Sequence, residues 1–287
     1  MNVLLMIMPA IGWGLLPPVV ARIGGKPANQ IFGTAIGALV SALVLFIFYH
    51  PHISTVTFLI AALAGAFWVV GQIGQFIGLK NIGVSATMPV STGMQLIGTS
   101  LVGVVVFGEW SAVSEKVLGA LGILVLIVGI WLTSIRDQRS GKKGHDKNQV
   151  NTMIMLLFTT LGYIVYMAIP RGLSSSGLAI FLPECVGMVM AVLIYVIVTR
   201  QTAIFKESAS WLCIAGGLVY AFGAITYILS VNANGVNSAF VASQLAVVIS
   251  TLLGMIWMQE TKSRREMMYM IFGLVLIVSG AVITTVF

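Results

Sequence analysis

Ten apolar runs, separated by short polar connections, divide the chain. Each run has close to the ~20 residues that a helix needs to cross the hydrocarbon of a bilayer. Backbone groups have no water partner in hydrocarbon, which favours helices, and the alternating segments of a β-barrel do not occur. The pattern therefore predicts an all-α membrane protein with ten transmembrane helices. The runs cover approximately residues 3–21, 29–49, 57–79, 84–107, 114–134, 151–170, 178–199, 209–230, 236–258 and 267–287.

One spacing of polar and small residues occurs in both halves of the chain. A glutamate is followed by glycines thirteen and twenty positions later, in Glu109, Gly122 and Gly129 and again in Glu260, Gly273 and Gly280. This match predicts an internal duplication with an offset of about 151 residues. We divide the chain into a five-helix repeat at 1–135, a polar linker at 136–150 and a second five-helix repeat at 151–287.

The odd number of helices in each repeat has a consequence for topology. After five crossings the chain is on the opposite side, so the second repeat is expected to be inverted relative to the first. Two inverted five-helix repeats are typical of secondary transporters, which bind substrate near the midplane and expose it to alternate sides. No phosphate-binding loop accompanies Gly24-Gly25-Lys26, so we expect an ion gradient as the energy source.

Composition and charge exclude a soluble protein. The chain is 59% hydrophobic and 8% charged, and its mean hydropathy is +1.05. Thirteen of the 15 Lys and Arg residues lie in the connections after odd-numbered runs, and only Lys116 and Arg171 lie on the other side. The positive-inside rule then places both termini outside the cell. The net charge of +7 reflects this topology, so we expect a lipid bilayer and no nucleic acid as partner.

Uncharged polar and aromatic residues gather inside the apolar runs. In the third run Trp68, Gln72 and Gln75 follow at steps of four and three, so they share one helix face. An amide facing lipid is costly, so this face should point into the bundle. The alternative for each residue is a hydrogen bond to a neighbouring helix. We predict substrate binding by Trp13, Trp68, Gln72, Gln75, Ser91, Gln95, Tyr166, Tyr227 and Gln244, with Tyr163, Tyr220 and Ser243 nearby in the pattern.

The chemistry of this set indicates its ligand. Amides and hydroxyls donate and accept hydrogen bonds, while Trp and Tyr offer flat apolar faces, and a pyranose sugar matches both. No Lys or Arg lies deep in a run, which argues against phosphate, nucleotide-sugar and carboxylate substrates. The two cysteines lie in apolar segments and the three histidines in connections. We therefore expect no metal ion and no cofactor.

Glu184 is the one acid within an apolar run. An ionisable residue inside the membrane is a candidate for function, and a buried carboxyl suits a proton carrier. The alternative is a wetted position near the interface. Glu184 precedes Gly187 as Gln30 precedes Gly33, so Gln30 is its expected counterpart in the first repeat.

Three stretches resemble the glucose/ribose porter family of bacterial sugar uptake proteins: GGKPANQIFGTAIGALV, GVSATMPVSTGMQLIGTSL and FGEW. That family belongs to the drug/metabolite transporter superfamily, whose general signature the segments around Glu109 and Glu260 resemble. The resemblance covers essentially the whole chain. It implies a carrier of the drug/metabolite transporter fold in the cytoplasmic membrane that moves monosaccharides with protons. It also implies cytoplasmic termini, which the Lys and Arg count opposes, and we keep the count.

The leading expectation is therefore a secondary transporter, not an enzyme, for uptake of a monosaccharide, with D-glucose first and ribose second. Export of amino acids or small metabolites is the alternative transport function. A membrane sugar sensor without transport activity is the alternative of another class. The sequence leaves the oligomeric state open.

Overall fold

The computed structural model describes residues 2–135 and 143–286. Within these residues the regular structure is helical, and ten segments are long and apolar enough to cross a membrane, which confirms the ten predicted helices. The α-helices are α1 Val3–Ile23, α2 Pro27–Tyr49, α3 Thr55–Ile82, α4 Val84–Phe107, α5 Val113–Ser134, α6 Lys143–Ala168, α7 Gly177–Val198, α8 Ser208–Leu212, α9 Ile214–Asn234, α10 Val236–Ser243, α11 Leu245–Met258 and α12 Arg264–Val286.

Two of the ten spans are interrupted, so twelve helices form ten spans in the described part. The eighth span joins α8 to α9 across Cys213, and the ninth joins α10 to α11 across Gln244. Helix α1, by contrast, continues without interruption through Pro17 and Pro18. Helix α6 includes residues 143–150 of the expected linker, and residues 136–142 lie outside the described part.

Glycines set the closest helix contacts. A methyl group on Gly273 of α12 would lie 2.7 Å from the carbonyl oxygen of Gly129 in α5, and one on Gly280 would lie 3.0 Å from that of Gly122. These four glycines belong to the duplicated spacing, and they pair in antiparallel order along one seam between α5 and α12. The two helices can approach this closely because no side chain separates their backbones.

The remaining spans of each five-span half pack mainly against spans of the other half. Helix α1 lies against α9 and α11, while α6 lies against α3 and α4, and α2 and α7 contact each other. The glycine contacts follow the same exchange: Gly12 of α1 meets Gly223 of α9, and Gly162 of α6 meets Gly71 of α3.

The bundle has two ends, named here by their glutamates. At the Glu109 end, α4 finishes beside Arg171, and the backbone N–H of Asn2 donates to Asn234 at the end of α9. At the Glu260 end, α11 finishes beside the start of α4, and Lys26 pairs with Glu207. The predicted site residues lie between these ends, on α1, α3, α4, α6, α7 and α9 and at the α10–α11 junction.

Candidate substrate-binding site

A continuous chain of hydrogen bonds crosses the interior from α6 through α3 to α4. The hydroxyl of Tyr163 donates to Gln72 Oε1 at 2.8 Å, and Gln72 Nε2 donates to Gln75 Oε1 at 3.0 Å. Gln75 Nε2 then donates to Ser91 Oγ at 3.0 Å. Gln95 Nε2 donates to the same Ser91 Oγ at 3.2 Å. The predicted face of α3 does point into the bundle, and its amides are satisfied by protein groups.

Small residues let the three helices approach closely enough for this chain. Gly71 lies directly against the ring of Tyr163, and Gly74 lies against Thr159 of α6. On the α4 side Gly78 lies against Thr87. A larger side chain at any of these three positions would separate the helices that carry the hydrogen-bonded groups.

Gln95 is the member of the chain with hydrogen-bonding capacity to spare. Gln72 and Gln75 are 2% and 5% exposed, whereas Gln95 is half-buried. Within the described residues its Oε1 accepts no hydrogen bond. One turn further along α4, Thr99 lines a shallow cleft between α4 and α6 with room for about one water molecule, which Phe107 and Arg171 border at the Glu109 end. Gln95 lies one turn before this cleft and is not among its lining residues.

A second cluster joins an aromatic stack to the buried acid. The ring of Trp68 lies against that of Tyr220, with centroids 4.7 Å apart. The hydroxyl oxygens of Tyr220 and Tyr166 are 3.2 Å apart, and the Tyr166 hydroxyl donates to Glu184 Oε2 at 3.5 Å. Because Trp68 lies one turn from Gln72 on α3, this cluster adjoins the amide chain.

Glu184 is buried rather than wetted at an interface, with 6% of its surface exposed. Among the residues that the structure describes, the ion pairs join Lys26 to Glu207 and Arg171 to Glu109, and no cation contacts Glu184. A buried charge without a partner is costly, so this carboxyl is accommodated most easily when it carries a proton.

Helix contacts favour a counterpart of Glu184 other than the expected Gln30. The backbone of Glu184 packs against Gly65 of α3, and the equivalent contact in the other half is that of Thr34 against Gly217 of α9. Gly217 follows Gly65 by 152 positions and Glu184 follows Thr34 by 150, so these contacts pair Glu184 with Thr34 rather than with Gln30. Gln30 instead donates from its side chain to the carbonyl of Val20.

The other predicted site residues do not join these clusters. Trp13 and Tyr227 form a separate pair with ring centroids 5.2 Å apart, and no group of the described residues accepts a hydrogen bond from the buried Nε1 of Trp13. In the described part of the chain the side chain of Gln244 donates to Phe240 and Ser243 of its own segment, where α10 ends and α11 begins.

Sequence reasoning placed Tyr163 and Tyr220 near the site without assigning them to it. A signal for both was present in the duplication. Tyr163 follows Trp13 by 150 positions, and Tyr220 follows Trp68 by 152, so each aligns with a residue that was assigned.

A ten-span bundle with amides, phenols and indoles gathered inside it defines a class: membrane carriers of uncharged polar solutes. The comparisons agree with that class. The chain matches the family described as sugar transport protein over residues 4–287 and belongs to that family, which consists of transporters rather than enzymes.

Individual relatives cover the whole length of the chain. A glucose uptake protein of Bacillus subtilis is 39% identical over 98% of this chain and 97% of its own. A candidate sugar uptake protein of Lactobacillus johnsonii is 47% identical over 100% of both chains. A candidate ribose uptake protein of Latilactobacillus sakei is 39% identical over 98% of this chain and 97% of its own.

One solved protein shares the fold. Its crystal structure superposes on this chain with a TM-score of 0.64 and covers 98% of this chain and 97% of its own, at 16% identity. At that identity the likeness concerns the arrangement of helices alone.

Proposed function

We propose that this protein takes up a monosaccharide across the cytoplasmic membrane by alternating access, with a proton as the coupled ion. D-glucose is the first substrate to test. The observation that carries the proposal is Gln95, a half-buried amide with an unused acceptor, fixed at the end of a neutral hydrogen-bonded chain. A neutral sugar offers hydroxyls to such an amide, and the names of the relatives agree with that chemistry.

The residues have different roles in this proposal. Gln95 binds the sugar directly, and Ser91 holds Gln95 in place by accepting its N–H. Gln72 and Gln75 act behind Ser91 and fix its position. Trp68, whose ring packs on Tyr220 in this structure, supplies the indole on which an apolar face of the sugar ring would stack.

The helix packing supports alternating access by two related halves. Exchanging the halves turns the contact of α1 with α9 into that of α6 with α3, and it turns α1 with α11 into α6 with α4. The pairs α5 with α12 and α2 with α7 map onto themselves. Two inverted repeats around a pseudo-twofold axis would pack in this way, and such an arrangement can rock between two equivalent states.

Glu184 carries the proton in this proposal. It is buried, has no cation partner among the described residues, and connects through Tyr166 and Tyr220 to the ring of Trp68. A proton bound there and a sugar bound beside Gln95 would occupy two clusters that adjoin along α3, where Trp68 lies one turn from Gln72. The proposed orientation has both termini outside, because the Glu260 end carries most of the Lys and Arg residues; labelling of an N-terminal cysteine tag in intact cells tests it.

Counterflow of labelled glucose in proteoliposomes tests the substrate. We expect accumulation with the wild type, and a Gln95→Ala variant should raise the apparent KM about 5- to 30-fold, because one hydrogen bond to a buried hydroxyl is worth about 1–2 kcal/mol. Gln201→Ala is the matched control, since this amide lies in the connection after α7. Equal KM values for the two variants would remove Gln95 from the site.

An imposed pH gradient tests the coupled ion. We expect Glu184→Gln to exchange sugar normally in counterflow but to lose accumulation driven by the gradient. Glu207→Gln, which changes a partly exposed acid outside the spans, should keep both activities. Gradient-driven accumulation by Glu184→Gln would show that the proton binds elsewhere.

Ribose is the second candidate substrate, because relatives of similar identity are named for ribose. Competition of unlabelled ribose against labelled glucose discriminates the two sugars. Failure of both to compete, together with efflux of labelled amino acids, would favour the export alternative.

A further inference from the structure

The duplicated glutamates sit in different environments. The carboxylate of Glu260 accepts hydrogen bonds from the backbone N–H groups of Val84 at 2.6 Å and Ser85 at 3.0 Å, at the start of α4. These N–H groups have no partner within the helix, and the helix dipole adds positive charge there, so a carboxylate is a strong partner. The contact fastens the end of α11 to the start of α4.

Side-chain packing supports the same junction. Val84 is 1% exposed, and a methyl group on Gly254 of α11 would lie 2.6 Å from its Cβ. Position 83, just before α4, requires glycine, because its φ is 87° and a Cβ there would lie 2.6 Å from Glu260 Oε1.

At the Glu109 end, the equivalent residues at the start of α10 have the same backbone conformation but do not form this junction. Gly235 starts α10 with φ 82° and ψ 159°, close to the 87° and 168° of Gly83. However, Val236 is 59% exposed, where its counterpart Val84 is buried. Among the described residues, no side chain accepts a hydrogen bond from the backbone N–H groups of Val236 and Asn237.

Glu109, the counterpart of Glu260, is held elsewhere. Its Oε1 accepts from Arg171 Nη1 at 2.9 Å, and both side chains are nearly half exposed. Its other carboxylate oxygen lies against Gly103, the counterpart of Gly254, in the place that Val236 would occupy. An exposed ion pair holds a carboxylate only weakly, so Glu109 can leave Arg171 readily.

The helices are arranged accordingly. Helix α4 packs on α11, the part of the ninth span at the Glu260 end, rather than on α10. Beside Gly235 there is open space, with no atom within 4 Å of the place where a Cβ would lie. As far as the described residues show, α4 and the ninth span are therefore joined at the Glu260 end and not at the Glu109 end.

We infer that Glu109 and Glu260 are alternating latches of the transport cycle, an inference that rests on the proposed alternating access. In this structure Glu260 binds the start of α4 and closes the Glu260 end of the bundle, while Glu109 is bound to Arg171. In the opposite state Glu109 leaves Arg171 and accepts from the N–H groups of Val236 and Asn237, Val236 packs on Gly103, and Glu260 releases α4.

Distances between spin labels test the latches without any sugar present. Labels at Ser111 and Asn237 report on the Glu109 end, and labels at Lys80 and Thr261 report on the Glu260 end; all four positions are exposed. With Glu260→Ala we expect the Lys80–Thr261 distance to lengthen and the Ser111–Asn237 distance to shorten. The ratio of the two states should change about tenfold, which corresponds to about 1.4 kcal/mol.

Two further variants keep the test decisive. Glu207→Ala is the matched control, because this carboxylate also accepts hydrogen bonds at the Glu260 end but binds Lys26 and Asn29 instead of α4. Arg171→Met, which frees Glu109 at an exposed position, should shorten the Ser111–Asn237 distance, and adding Glu109→Ala should reverse that change.

The outcomes separate this inference from the proposed substrate. Distances in Glu260→Ala and Arg171→Met that match those of Glu207→Ala would overturn the latches, even if labelled glucose is taken up. Distances that shift as expected in a protein that takes up no sugar would leave the latches standing and overturn the substrate.

Discussion

Ser91 is the point at which the amide chain can be cut with least change in volume. Its Oγ accepts hydrogen bonds from Gln75 at 3.0 Å and from Gln95 at 3.2 Å. A Ser91→Ala variant removes this one acceptor, and with it both hydrogen bonds, without removing a carbon atom. Gln75 is buried, so its N–H is left without a partner, whereas the half-buried Gln95 can turn to water.

The size of the effect follows from these two environments. An unpaired buried donor costs about 1–3 kcal/mol in soluble proteins, and hydrogen bonds between membrane helices average about 0.6 kcal/mol with a maximum near 1.7. We expect Ser91→Ala to lower the free energy of unfolding by about 1–2 kcal/mol. Because Gln95 also loses its anchor, the apparent KM for sugar should rise about three- to tenfold.

Reversible unfolding in mixed detergent and dodecyl sulfate micelles measures the first effect, and initial uptake rates in proteoliposomes measure the second. Ser91→Thr keeps the hydroxyl and should restore both. Thr160→Val removes a buried hydroxyl that bonds only within its own helix, to the carbonyl of Leu156 at 2.7 Å. If Ser91→Ala equals Thr160→Val in stability and in KM, the hydrogen-bonded chain does not position the site.

Three further predictions concern separate contacts. Gly273→Ala should destabilise the bundle by about 1–3 kcal/mol in the same unfolding assay, because the added methyl meets the α5 backbone; Gly172→Ala, which points into open space, should not. The hydrogen bond from Lys26 lowers the pKa of Glu207. The stabilisation by the ionised Glu207 is therefore present above the ordinary carboxyl pKa and is lost as the pH falls through the lowered pKa. The thermal stability of Glu207→Gln should lack this decrease at acid pH. Tyr220→Phe keeps the ring against Trp68 but removes the hydroxyl, so sugar KM should stay within about twofold while pH-driven accumulation falls severalfold.

Hydropathy predicted the ten spans because bilayer thickness fixes the length of an apolar helix, whatever surrounds it. The inward face of Trp68, Gln72 and Gln75 was predictable for a similar reason, since an amide in lipid has no partner. Neither argument depends on knowing which helices are neighbours.

The hydrogen-bond partners could not be predicted in this way. Gln72 and Gln75 were expected to bind substrate. In the structure their side-chain amides form hydrogen bonds with Tyr163, with each other and with Ser91. Sequence spacing also suggested Gln30 as the counterpart of Glu184, because both precede a glycine by three positions. Backbone contacts favour Thr34 instead, since Gly65 packs against Glu184 and Gly217 packs against Thr34.

The position of α3 explains how one helix could couple the two proposed ligands. Trp68 faces the cluster that contains Glu184, and Gln72, one turn away, belongs to the chain that holds Gln95. A sugar bound to Gln95 would act on Gln75 and Gln72 through the Ser91 hydroxyl that Gln95 and Gln75 share, and thereby on the packing beside Trp68. Coupling between binding sites is reciprocal, so loading Glu184 with a proton must change sugar affinity by the same factor as sugar changes proton affinity. Sugar affinity in Glu184→Gln, which imitates the protonated acid, should therefore match that of the wild type at low pH and show no further dependence on pH.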